Sequence, residues 1–167
     1  IKVMYKAVNG TIDAVHENEP GNKMFYVILY KNSEYVTVED GGIGHLSDEQ
    51  IATATAARGY DQNSLKWSPK TPTTKLDLNE DTSFIAEFTK GSYDYSIEYY
   101  YDGVKGKTDT KNAAFEEVIT LNPDVSVTYG GSPYALDKVK NNPLTIDTEA
   151  ANNIIRVYYA KDTNGNG

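Results

Sequence analysis

Residues 97–103 read Ile-Glu-Tyr-Tyr-Tyr-Asp-Gly, and no other stretch restricts the fold as much. In a strand, successive side chains point to opposite faces, so Ile97, Tyr99 and Tyr101 share one face while Glu98 and Tyr100 share the other. Asp102-Gly103 supplies the two positive-φ positions of a tight hairpin turn, which sends Val104 onward back antiparallel. The last apolar run repeats the alternation, with Ile155, Val157 and Tyr159 opposed to Ile154, Arg156 and Tyr158. Side by side in a sheet, two such strands stack their tyrosines across the strand boundary. The tyrosines therefore read first as sheet-packing residues. The outward pair, Tyr100 and Tyr158, is left as a candidate ligand-contact surface.

Composition supports a β-rich chain. Fourteen Tyr against four Phe and one Trp in 167 residues suits half-buried strands, where the ring packs and the hydroxyl stays wet. The chain has no cysteine, which removes disulfides and thiolate metal sites and fits a cytosolic or a bacterial exported protein. The net charge of −8 is spread along the chain without a basic stripe, so nucleic acid is not an expected partner. The longest apolar run, residues 25–30, is too short to cross a bilayer, and no membrane insertion is expected. The first residue is Ile and the last four are Asn-Gly-Asn-Gly, ends that suggest an excised piece of a longer protein. A monomer is expected.

The clearest joint is Thr89-Lys90-Gly91-Ser92. Before it, extended runs at 1–8, 24–31 and 35–39 precede a helical signal at 47–51, where Ser47 and Gln50 have capping-box spacing. A strand near 64–67, an apolar-alternating run at 75–78 and a closing strand at 82–88 are then expected. After the joint, strands at 93–101 and 105–111 precede a helix over 113–121, with Phe115, Val118 and Ile119 at helical spacing and Pro123 as its stop. Further strands follow near 126–129, 134–139 and 154–160. Each half reduces to ββαββ, with Leu76-Asp77-Leu78 and Leu144-Thr145-Ile146 as matching late steps. The expected class is α+β, β-rich: two tandem β-grasp (ubiquitin-like) domains, 1–90 and 92–161, arranged end to end, with 162–167 as a linker.

Four segments of the second half carry a family resemblance. Tyr95-Ser96-Ile97-Glu98-Tyr99-Tyr100-Tyr101-Asp102-Gly103, Tyr134-Ala135-Leu136-Asp137-Lys138-Val139, Asn142-Pro143-Leu144-Thr145-Ile146 and Asn153-Ile154-Ile155-Arg156-Val157-Tyr158-Tyr159 resemble the mucin-binding protein (MucBP) repeat over about 92–161. In the first half, Gly59-Tyr60, Leu65-Lys66-Trp67-Ser68-Pro69 and Thr82-Ser83-Phe84-Ile85-Ala86-Glu87-Phe88 resemble another repeat of Gram-positive surface proteins, the match departing at 21–34. The resemblance implies a β-grasp fold and an extracellular, wall-attached location on a Gram-positive bacterium. It also implies adhesion to host mucin or another glycoprotein. A spacer that projects a distal domain, and a protein ligand such as immunoglobulin added at a sheet edge, are the competing roles.

Catalysis is not expected. The two histidines, His16 and His45, belong to no HExxH or nucleophile-base arrangement. The glycines at 41, 42 and 44 lack the Lys-Ser/Thr of a phosphate loop. Adjacent acids such as Glu39-Asp40 and Glu116-Glu117 read as solubilising charge before they read as a glycosidase pair. Trp67 can stack on a sugar, although the repeat pattern places an aromatic there in the core. A Lys–Asn or Lys–Asp isopeptide cross-link would need a lysine, its amide or acid partner and an assisting acid buried together. Asp162, Asn164 and Asn166 have the spacing that opens a calcium loop. The loop stops at its sixth residue, so no cofactor is expected, and calcium only in a longer chain that supplies the distal acid.

Overall fold

The computed structural model describes residues 2–13, 25–30, 33–38 and 45–163, and the chain divides into two compact units, Ile1–Lys90 and Gly91–Gly167. The first unit holds β1 (Lys2–Val8), β2 (Gly10–Ile12), β3 (Phe25–Tyr30), β4 (Ser33–Val38), β5 (Ala54–Ala56), β6 (Lys66–Ser68) and β7 (Thr82–Glu87). Its main sheet runs β3-β4-β1-β7-β6, with β1 antiparallel to β4 and parallel to β7, and β2 pairs with β5 beside it. Alternation decides what is buried. Val3 and Tyr5 from β1 and Phe84 from β7 meet Leu46, Ala52 and Leu78 from the connecting segments, while Ala54, Ala86 and Phe88 form an adjoining cluster.

Tyr5 is the centre of this core. It stacks on Phe84 with ring centroids 5.6 Å apart, and its hydroxyl donates to the Gln50 carbonyl at 2.8 Å. Burial pushes the phenol up to about 12, against a smaller lowering from a backbone hydrogen bond at Ala52. The unfolded chain ionises Tyr5 near 10, so this contribution is intact below pH 10 and declines as pH rises toward 12. The loss is about 1.4 kcal/mol per pH unit across that interval. Tyr5→Phe should start about 1–2 kcal/mol less stable, because the buried carbonyl loses its donor, and should show a shallower alkaline loss by circular dichroism. An unchanged alkaline slope would show that Tyr5 does not carry the effect.

The second unit holds β8 (Ser92–Tyr101), β9 (Val104–Ala114), β10 (Val118–Ile119), β11 (Ser126–Tyr129), β12 (Ser132–Lys140), β13 (Leu144–Thr145) and β14 (Ile154–Lys161). Its five-stranded sheet runs β11-β12-β14-β8-β9, with β8 and β14 parallel and the other neighbours antiparallel. Asp102 (φ 51°) and Gly103 (φ 80°) form the turn between β8 and β9, as their sequence expects. Tyr95, Ile97, Ile155, Val157 and Tyr159 pack with Leu144 and Ile146 on the core face. The sheet curls so that a side chain of one edge strand, β11, reaches the other, β9. Tyr129 of β11 lies flat on Tyr101, with centroids 3.8 Å apart, and its hydroxyl donates to the Gly106 carbonyl of β9 at 3.4 Å. A Cβ at position 106 would sit 2.5 Å from that hydroxyl, so glycine makes the closure possible.

The expected α-helices do not form, and this overturns the ββαββ β-grasp class. Among the described residues, helical structure is confined to single 3-10 turns at Asp48–Gln50, Gln62–Ser64 and Ala150–Asn152. Ser47 N–H does donate to Gln50 Oε1 at 2.9 Å, but the turn ends at once. Ala52 and Ala54 are buried while Thr53 and Thr55 face outward, and both threonine hydroxyls donate to the Asp13 carboxylate. Two-residue alternation therefore wins over alanine's helix propensity. Over 113–121, Ala113 and Ala114 complete β9 and Glu116 adopts φ 66°. The backbone then bonds to Ile146 from both Glu116 and Glu117, and Val118-Ile119 pairs with Leu144-Thr145. Phe115, Val118 and Ile119 have helical spacing without a helix because the Phe115 N–H donates to the Gly91 carbonyl and the ladder to β13 takes Val118 and Ile119. The run over 75–78 lies between β6 and β7 outside any strand, and both its leucines, Leu76 and Leu78, reach the core.

Candidate functional site

The parallel register of β8 and β14 sets Glu98 beside Arg156 and Tyr100 beside Tyr158 on the face opposite the core. β9 brings Lys105 opposite Tyr100 and Thr108 opposite Glu98, while β12 brings Lys138 opposite Tyr158 and Lys140 opposite Arg156. Two cross-strand rows result: Lys105–Tyr100–Tyr158–Lys138 and Thr108–Glu98–Arg156–Lys140. The register of β12 against β14 shifts between Leu136 and Lys138, leaving Asp137 as the extra residue. That bulge lets Leu136 and Val139 both pack against the core while Lys138 and Lys140 stay exposed.

The rows are tightly coupled. The Tyr100 and Tyr158 rings stack with centroids 4.9 Å apart and planes 20° from parallel. The Tyr100 hydroxyl donates to Glu98 Oε1 at 2.9 Å and Arg156 Nε to the same oxygen at 3.1 Å, with Lys105 Nζ 3.5 Å from Oε2. Burial pushes the Glu98 carboxyl up, but the Tyr100 hydroxyl, Lys105 and Arg156 more than offset it and hold it below its ordinary value. Lys138 and Lys140 place their Nζ atoms 5.2 and 5.6 Å from the Tyr158 ring centroid, within cation–π range. Four cations, Lys105, Lys138, Lys140 and Arg156, thus share these two rows with one carboxylate, Glu98, on a chain whose net charge is −8. Aromatic edges framed by polar donors suit non-covalent capture of a sugar or an anion.

Of the residues singled out from sequence, Tyr100 and Tyr158 come together here. Trp67 lies in the first unit, half-buried and edge-on to Tyr5 with centroids 6.0 Å apart. Asp162 donates its N–H to the Pro133 carbonyl, whereas Asn164 and Asn166 lie outside the described residues, as do His16 and the glycines at 41, 42 and 44. His45 is exposed and sits 3.3 Å from Asp77. Among the described residues no group of three His, Asp or Glu side chains is placed to hold a metal, and every lysine whose side chain is described is exposed. No described helix is long and apolar enough to cross a membrane. Lys105, Lys138, Lys140, Arg156 and Glu98 were not singled out from sequence. Strict alternation from Leu136 would have put Lys138 on the core side, and only the Asp137 bulge reverses it.

A cleft of about 200 Å³ opens on the core side between Tyr99, Tyr101, Lys107, Asn122 and Asp124. The Tyr159 hydroxyl donates to the Asp124 carbonyl at 2.8 Å along its wall. Burial raises the phenols of Tyr99, Tyr101 and Tyr159, with neighbouring carboxylates adding to the rise.

No protein-family model matches the chain, and no curated protein does. Among solved structures, domains 3–4 of the Streptococcal High Identity Repeats in Tandem (SHIRT) from a cell surface protein are similar over 96% of this chain and 98% of that one. The identity is 13% and the TM-score 0.33. A likeness this distant fixes neither fold nor function, and the resemblance of 92–161 to the mucin-binding repeat rests on its motifs.

Proposed function

We propose that this chain is a non-catalytic, extracellular module of a Gram-positive surface protein that adheres to host glycoprotein of the mucin type. The contact surface is the open face of the second unit. The observation that carries the reading is the Tyr100–Tyr158 stack, framed on neighbouring strands by Lys105 and Lys138. The rings offer apolar edges to a sugar and the cations offer hydrogen-bond donors around it. Mucin as the source of the glycan comes from the motif resemblance. The rival reading of a protein strand added at a sheet edge meets an obstacle in β9. This long edge strand presents Lys105, Lys107 and Lys111, the residue type that guards edges against strand addition.

A glycan array and a mucin pull-down with the chain test the proposal. Tyr100→Ser with Tyr158→Ser should abolish saturable binding. The melting curve should move little, because a cross-strand pair of this kind contributes only about 0.2–1 kcal/mol. A large loss of stability would mark the tyrosines as packing residues, and no binding at about millimolar sensitivity would favour a spacer.

A further inference from the structure

Resting on the glycan-face reading, we infer that the ligand is anionic: a sugar carrying a carboxylate or a sulfate ester, held at the Lys138–Lys140 side of the face. The donors divide into two groups. At the β8 end, one Glu98 carboxylate takes the Tyr100 hydroxyl, Arg156 and Lys105. There Glu98 competes with any outside anion for Arg156 and Lys105. At the β12 end, Lys138 and Lys140 form no ion pair among the described residues and instead converge on the Tyr158 ring.

Lys138 and Lys140 stand two residues apart on one strand, roughly 7 Å by strand geometry, with Arg156 directly opposite Lys140. An acidic group seated at the edge of the ring meets both ammonium groups while the rest of the sugar lies along the tyrosines. The extra residue Asp137 is the nearest carboxylate in sequence, and one carboxylate against two ammonium groups leaves the spot cationic. A chain of net charge −8 repels anions in general, so a local cationic site on it selects for an acidic ligand by position and not by bulk charge.

The test compares one neutral saccharide, N-acetyllactosamine, with its sialylated and its sulfated forms, titrated into the chain by calorimetry or amide NMR. At about 50 mM salt both acidic forms, or one of them, should bind about tenfold more tightly than the neutral form, and the preference should shrink at about 0.5 M salt as screening shortens. Lys138→Gln with Lys140→Gln should erase the preference. Lys138→Arg with Lys140→Arg should keep it, and Lys111→Gln should not alter it. Binding of the sialylated form alone identifies a carboxylate, and of the sulfated form alone a sulfate. Equal affinity for all three sugars, or a preference that survives the double Gln variant, overturns the anionic inference while leaving the glycan face standing. Failure of all three to bind removes the adhesion reading and this inference with it.

Discussion

Replacing Phe84 with alanine lowers the stability of the first unit by about 3–5 kcal/mol. Phe84 is 1% exposed, opposes Tyr5 in the parallel β1–β7 ladder and stacks on its ring. Truncation removes the stack and opens a cavity in the core beneath strands whose ladder fixes their positions. Trp67, the only tryptophan, sits edge-on to the same Tyr5, so its fluorescence reports this transition in a denaturant titration. The buried residues of the second unit form their own cluster, and its transition should stay where it is. A loss under about 1 kcal/mol would mean that the core closes over the gap and that Phe84 is not its keystone.

The second large effect is expected at Asn153, which is completely buried. Its amide donates to the Asp94 carbonyl at 3.2 Å and the Asp147 carbonyl at 2.7 Å, and its oxygen accepts from Asp147 N–H at 2.8 Å. One side chain thus ties the entry of β14 to the start of β8 and to the segment after β13. Asn153→Ala leaves three part-buried backbone groups without this partner, each costing up to about 1–3 kcal/mol when unmet. With partial relaxation the expected loss is about 3 kcal/mol. Asn153→Asp should do no better, because a carboxylate would face two carbonyls where a donor is required. The comparison of both variants by urea titration separates hydrogen bonding from volume, since Asp keeps the shape. Near-parental stability of Asn153→Asp would rule out the donor's role.

How much of this was legible depends on the distance over which each feature is encoded. The β8–β9 hairpin is written locally in Asp102-Gly103 and in the alternation before it, and the outward position of Tyr100 follows from that alternation alone. The adjacency of Tyr100 and Tyr158 needed only the further step of setting the first and last strands of the unit side by side. The segment 113–121 was misread because apolar spacing reports only which residues are buried. What makes it extended is the pairing with Leu144-Thr145, some 25 residues away, which local spacing does not encode. The cationic side of the face was hidden by a single inserted residue, Asp137. A bulge has no fixed sequence signature, and it reverses the face of everything beyond it.

The most direct test of the glycan face is a two-dimensional amide NMR titration of the chain with sialylated and sulfated N-acetyllactosamine, read residue by residue. Shifts that saturate and cluster at 98–100, 105, 138–140 and 156–158 are expected. Saturable shifts confined to 121–124 and Lys107, around the core-side cleft, or shifts along the outer edge of β9 alone, would contradict it.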